Sequence, residues 1–204
     1  STVLSVEYLS DNFKLIKLKP YSKFHFSAGQ AVALHINDSM KFFSITSVPS
    51  DDFIEILIKK SDSKSTMFLF NDLKVNDSIF ISGPFGNAIK QNTNNLIFFA
   101  GGSGIANFIS FIRNNKNVNI NLFYSVRNSS DLVFKNELEK YSNLKINYII
   151  TSSVPRINKD FMSHIKFNND ETFFICGPKQ MIIDINNYLL SSNISNDRII
   201  FDRY

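Results

Sequence analysis

Leu96-Ile97-Phe98-Phe99-Ala100-Gly101-Gly102-Ser103-Gly104-Ile105-Ala106 decides the architecture. Five apolar residues run without a polar interruption, as a strand buried on both faces does. Three glycines follow, and the apolar pattern resumes at once as a helix expected over Ile105–Arg113. Glycines at such a turn let the backbone reverse sharply and let a ligand approach without meeting a Cβ. A helix N-terminus then offers N–H groups and partial positive charge to an anion. The spacing is Gly-Gly-Ser-Gly, not G-x-G-x-x-G, so a tight turn chosen only for packing stands as the alternative to a phosphate loop.

Downstream the rhythm repeats. Strands are expected at Asn119–Val126, Lys145–Thr151, Thr172–Cys176 and Arg198–Asp202. Helices are expected between them at Val133–Lys140, Lys159–Lys166 and Lys179–Leu190. Such alternation implies βαβ units and a parallel, doubly wound sheet. Cys176-Gly177-Pro178 also sits between a strand and a helix. Alone it reads as a buried thiol followed by a proline at a helix start. Paired with the glycine turn, it marks a second strand end where open α/β sheets bind ligands.

Upstream the periodicity is that of strands. Thr2–Ser10, Phe13–Lys19, Gln30–Ile36, Lys41–Ser47, Phe53–Lys59 and Ser78–Ser82 are short and apolar or β-branched. Pro20, Ala28-Gly29, Asn37-Asp38, Pro49 to Asp52 and Asn76-Asp77 separate them. Six short strands at this spacing predict a small antiparallel β-barrel. One or two helical turns fit at Thr66–Leu73, with Ser65 or Thr66 near the N-cap. The polar run Gln91-Asn92-Thr93-Asn94-Asn95 marks the division, giving a barrel domain over 1–92 and an α/β domain over 93–204.

Composition narrows the function classes. Of 204 residues, 44% are apolar, enough for a real core, and 21 are phenylalanine while none is tryptophan. The net charge of +4 comes from scattered basic residues, a solvated surface rather than a nucleic-acid footprint. Cys176 is the only cysteine, so no intrachain disulfide or iron–sulfur cluster can form, and the three histidines lack metal-ligand spacing. A lone thiol and the want of a long apolar run or leader make a cytoplasmic protein, with no membrane insertion, the expectation.

Eight stretches, in order, resemble the ferredoxin–NADP reductase-like family of flavoproteins. They are Phe26-Ser27-Ala28-Gly29-Gln30, Lys41-Phe42-Phe43-Ser44 running on to Pro49, Ser63-Lys64-Ser65-Thr66, Ile81 to Gly86, Ala100 to Ala106, Phe123 to Arg127, Ile175 to Met181 and Phe201-Asp202-Arg203-Tyr204. The resemblance implies a flavin-binding barrel followed by an NAD(P)-binding domain. It implies FAD, with FMN the alternative, NADPH or NADH as co-substrate, and hydride passing between them.

Site roles follow from the same resemblance. Lys41 stands in place of the family's arginine and pairs with a flavin phosphate through one compact charge rather than a fork. Phe42 and Phe43 lie with it along the flavin, Phe43 against the isoalloxazine without tyrosine's hydroxyl. Ser44 places a hydroxyl near the hydride-accepting N5. Ile58, Lys59 and Lys60 touch the rest of the nucleotide, and Ser65 and Thr66 offer N–H groups to its phosphates. Ser63 replaces a glycine, at a cost if that position requires positive φ. Gly101, Gly102, Ser103 and Gly104 hold the nicotinamide pyrophosphate. Cys176 lies beside the nicotinamide, Gly177 and Pro178 shape that wall, and Met181 packs beneath the loop. Ser125 and Arg127 end the next strand; Arg127 tilts the expectation toward NADP, with Asp131 keeping NAD open. Asp202 relays a proton or orients a ring, and Tyr204 covers the flavin's other face, with a frayed terminus as the plain alternative.

No cluster ligand lies on this chain, so the electron acceptor is a separate protein or small molecule. Two other classes remain open at this point: a non-catalytic flavin-bearing subunit, such as an electron-transfer subunit of dihydroorotate dehydrogenase, and a nucleotide-binding protein without flavin.

Overall fold

The computed structural model describes residues 1–90, 93–168 and 170–202. Its first half contains strands β1 (Thr2–Ser10), β2 (Phe13–Lys19), β3 (Ala31–Ile36), β4 (Ser39–Ser44), β5 (Ile54–Lys59) and β6 (Phe80–Phe85). They form two antiparallel three-stranded sheets, ordered β1-β2-β5 and β4-β3-β6. Isolated bridges Ile45–Ile56 and Thr2–Ser78 join the sheets at both edges. The result is the barrel that six alternating segments require, because closure removes unpaired strand edges. Val3, Ile16, Leu18, Val32, Leu34, Ile36, Ile45, Ile54, Ile56 and Ile58 fill its interior.

Several boundaries differ from the sequence expectation, β6 among them at Phe80–Phe85 rather than Ser78–Ser82, and those of β4 and the helical turn have local reasons. Strand β4 begins at Ser39 because Asn37 takes φ 51 and Ile36 pairs with Ser39 across a two-residue turn. It ends at Ser44, where the chain leaves one sheet for the other and Thr46 N–H donates to the Glu55 carbonyl. Helix α1 covers only Lys64–Met67 and passes into a π-helical turn over Phe68–Asp72. Its N-cap is Ser63 rather than Ser65 or Thr66, because the Ser63 hydroxyl accepts the Thr66 N–H at 3.2 Å.

The end of that turn is held by a buried lysine. Lys14 on β2 is 1% exposed, and its ammonium donates to the carbonyls of Leu69, Phe70 and Leu73 at 3.0–3.1 Å. Irregular helical ends leave carbonyls without ladder partners, and a cation at that end also complements the helix dipole. Burial lowers the Lys14 pKa from its usual value, and Asp72 nearby raises it in part.

The second half contains β7 (Asn95–Gly101), β8 (Asn119–Val126), β9 (Leu144–Ile150), β10 (Thr172–Cys176) and β11 (Ile199–Asp202). All pair in parallel, in the order β11-β10-β7-β8-β9. Helices α2 (Ala106–Asn114), α3 (Lys135–Leu138), α4 (Lys159–Ser163) and α5 (Lys179–Ser191) fall between or after them. Helix α3 is shorter than expected because Phe134 has φ 62, outside the helical region. Leu96 to Ala100 are all buried, as the unbroken apolar run requires of a strand covered on both faces. Phenylalanine supplies much of that cover. Phe99 stacks on Phe123 at 4.9 Å, and Phe98 meets Phe174 edge-on at 5.4 Å.

Packing divides the chain into two compact units: Ser1–Ile89 with Ala106–Asn114, and Lys90–Ile105 with Asn115–Tyr204. Helix α2 follows the glycine turn in sequence but packs within the first unit, with Ala106 to Ile112 all buried. Replacing Lys14 with Met should lower stability by about 2–4 kcal/mol, since two buried carbonyls lose their side-chain donor while Phe70 O keeps the Tyr8 hydroxyl. Guanidinium unfolding followed by circular dichroism measures it, and an unchanged midpoint would contradict the role assigned to Lys14.

Candidate functional site

The parallel sheet concentrates its candidate residues at one edge. Strand order reverses between β7 and its neighbours, and the turns after β7 and β10 leave the sheet side by side. Such a switch point is where doubly wound sheets bind ligands. Gly101 is in register with Ser125, and Cys176 with both Ala100 and Asp202. Four residues singled out from separate stretches of sequence thus share one end of the sheet.

Two glycine positions explain why no other residue serves. Gly102 has φ +56, a region that side chains disfavour. A Cβ on Gly104 would lie 2.2 Å from the Cys176 carbonyl oxygen, so at this point the β7 and β10 turns meet backbone to backbone. Gly101 faces Pro178 and Met181, and Gly177 faces Met181 and Gly101, so the methionine fills the space beneath both turns. The Cys176 side chain is enclosed, with 0% exposure, while Ser103 and Gly177 are half-buried and Pro178 is exposed.

After β8, Arg127 is exposed and Asp131 is buried in a short turn over Ser129–Asp131. The Tyr124 hydroxyl donates to the Asp131 carbonyl at 3.3 Å, and burial pushes its pKa up, keeping it a neutral donor. Arg127, not Asp131, therefore presents its side chain to solvent at this strand end. A groove of about 860 Å³ elsewhere in this unit is lined by Asn158, Lys159, Asp160, Asp184 and Tyr188 among others, and includes none of the candidate residues.

On the barrel, the packed interior leaves only the outside for a ring system. The register places Phe42 and Ser44 on one face of β4, opposite Ala33 and Ala31, with Lys41 and Phe43 on the other. Phe42 is exposed and meets Phe85 edge-on at 5.2 Å, while Phe43 is half-buried against the barrel core. Lys41 is half-buried and Ser44 buried. Phe85 is the residue that sequence reading passed over; its only signal was its place in the Ile81 to Gly86 stretch.

Ile58 is wholly inside the barrel core, so only its backbone can meet a ligand, whereas Lys59 and Lys60 are exposed at the strand end. The Thr66 N–H is taken by Ser63, and the Ser65 hydroxyl lies 2.5 Å from that of Ser39. Ser63 has φ −70, so serine in the glycine's place carries no backbone strain. Tyr204 lies outside the described residues. Among the described residues, no group of three or more His, Cys, Asp or Glu could hold a metal ion, and no helix is long and apolar enough to cross a membrane.

The model of an FAD-binding domain matches residues 1–89, and that of an oxidoreductase NAD-binding domain matches residues 98–187. The chain belongs to the ferredoxin–NADP reductase-like flavoprotein family. Its relatives include the reductase component of propane 2-monooxygenase from Mycolicibacterium goodii, 26% identical over 99% of this chain and 66% of that protein. The reductase component of phenol 2-monooxygenase from Pseudomonas sp. is 27% identical over 96% of this chain and 62% of that protein. The flavoprotein thus spans less than two thirds of the length of these relatives.

Solved structures share its fold. The flavohaem-like FAD/NAD-binding domain of a nitric oxide dioxygenase from Vibrio cholerae superposes with a TM-score of 0.87 at 14% identity, covering 100% of this chain and 97% of that one. A ferredoxin–NADP+ reductase from Plasmodium falciparum does so at 0.84 and 23%, covering 100% and 94%. The residues that would hold the two cofactors are the glycine turns after β7 and β10, where added Cβ atoms at Gly101, Gly104 and Gly177 would meet the neighbouring turn, and, on β4, exposed Phe42 with Ser44 on one face and half-buried Lys41 with Phe43 on the other. Gly104→Ala should abolish NADP+ binding, because the added methyl meets backbone rather than a flexible side chain. Isothermal titration measures it; wild-type affinity would show that the two turns need not touch.

Proposed function

We propose that this chain is an NAD(P)H-dependent flavin oxidoreductase that passes electrons to a separate acceptor. Residues 1–92 bind FAD and residues 93–204 bind the nicotinamide nucleotide. The observation that carries the reading is the meeting of the Gly101–Gly104 and Cys176–Pro178 turns at the strand-order reversal, downstream of an FAD-binding barrel.

FAD, when bound, supplies the hydride acceptor and the store from which electrons leave. The chain's own residues bind and orient. Lys41 offers an ammonium to a flavin phosphate, half-buried Phe43 an aromatic surface on the same face of β4, and Ser44 a hydroxyl donor near the reacting atom, with exposed Phe42 on the Ser44 face. Lys59 and Lys60 extend positive charge along the nucleotide. The glycine turn cradles the dinucleotide pyrophosphate with backbone N–H groups. Gly177 and Pro178 shape the nicotinamide wall, and the buried Cys176 thiol lies behind it, keeping water away. Asp202, in register with Cys176, relays a proton or orients the ring.

NADPH is the favoured donor, because exposed Arg127 suits a 2′-phosphate and Asp131 is turned inward. The acceptor is a protein partner, a reading supported by relatives that are the reductase components of propane 2-monooxygenase and phenol 2-monooxygenase.

The purified protein supplemented with FAD should show a flavin spectrum that bleaches on anaerobic addition of NADPH. A protein that binds FAD yet is not bleached would support a non-catalytic subunit instead. Arg127→Ala should raise KM for NADPH by roughly tenfold while leaving that for NADH nearly unchanged, as loss of one charged phosphate contact implies. Equal effects on both coenzymes in steady-state assays would refute the 2′-phosphate role.

A further inference from the structure

We propose that Arg113 is a positioning residue for the Lys41–Ser47 segment, holding Ser44 in place through a buried polar anchor that α2 inserts at the barrel corner. The inference rests on the flavin role proposed for Ser44. After Ser44 the chain crosses from the β4 sheet toward β5, with Ile45 making a single bridge to Ile56. At such a corner the carbonyls of Thr46 and Ser47 fall outside the regular ladders, although both residues are buried, and each needs a donor.

Helix α2 supplies both donors. The Arg113 guanidinium donates to the Thr46 carbonyl at 2.8 Å, and the Ser110 hydroxyl to the Ser47 carbonyl at 2.6 Å. Arg113 also donates to Glu55 Oε1 at 2.6 Å, and the Thr46 hydroxyl donates to the same oxygen at 2.8 Å. The Glu55 N–H in turn donates to the Ser47 hydroxyl at 3.1 Å. Glu55 is 3% exposed, Ser110 0%, Thr46 0% and Ser47 1%, with Lys17 the other cation near the carboxylate, at 3.7 Å from Oε2. Every member contacts the corner two or three residues beyond Ser44.

Both bonds leave one guanidinium nitrogen, Nη1, whose two N–H groups meet the carbonyl and the carboxylate at once. Two side chains of one helix, Arg113 and Ser110, fix two successive carbonyls and so restrict the backbone leading to Ser44. Helix α2 begins one residue after the Gly102–Gly104 stretch, so the segment that would hold nicotinamide phosphates leads directly into the element that steadies the flavin contact.

The test uses the full chain loaded with FAD. Arg113→Met alone strands a buried carboxylate, so Arg113→Met combined with Glu55→Gln is the working variant; the glutamine oxygen still accepts the Thr46 hydroxyl. Its FAD content should match wild type. Amide hydrogen exchange over residues 41–47 should speed up roughly tenfold or more, while that of 13–19 stays unchanged. Flavin reduction at saturating NADPH should slow by a similar factor with KM little altered. Arg113→Lys should fall between the two. Unchanged exchange over 41–47 with unchanged reduction overturns the proposal, and so does faster exchange across the whole barrel together with loss of FAD. Were wild type itself not reduced by NADPH, the proposed function would fall, and exchange confined to 41–47 would still uphold the anchor while its absence would overturn it.

Discussion

The contact on which the nucleotide-binding end depends is between backbone and backbone. Gly104 lies so near the Cys176 carbonyl that one added carbon would overlap it, and this lets the turns after β7 and β10 leave the sheet as a single cluster. Neither strand could shift without opening the edge where the candidate nucleotide residues gather. Close packing of small residues thus fixes how the two turns meet, and the proposed pyrophosphate cradle is built on that meeting.

The barrel solves a different problem. Its core is apolar, yet two charged side chains are buried at its corners. Lys14 satisfies carbonyls at an irregular helical end, and Glu55 with Arg113 satisfies those at the crossing between sheets. Each ion costs desolvation, and each is stabilised by several short hydrogen bonds rather than by a single partner. Both sit next to segments with proposed cofactor roles: Lys14 at the far end of the Ser63–Asp72 helical stretch, the Arg113 anchor beyond Ser44.

Lysine and phenylalanine stand at 41 and 43 where the family resemblance implies arginine and tyrosine; in the proposed site this leaves one compact charge for a phosphate and no phenolic hydroxyl. Ser63 in the glycine's place turns out to be an N-cap in extended conformation, so that departure strengthens the local helix instead of straining it.

Much of the architecture was legible in sequence alone. Unbroken apolar runs bounded by glycine and proline marked the parallel strands, alternating runs marked the barrel, and the glycine cluster named the turn at the sheet edge. These signals are local, depending on periodicity and on the conformations single residues tolerate. What the tertiary structure alone decided is which distant groups share an environment. Register put Phe42 and Ser44 on one face and turned Phe43 toward the core; packing placed α2 with the barrel; and burial took Ile58 and Asp131 out of a ligand's reach while leaving Arg127 exposed. A side-chain period of two is visible in a strand, but which side becomes the core is set by residues far away in the chain, and no local pattern records them.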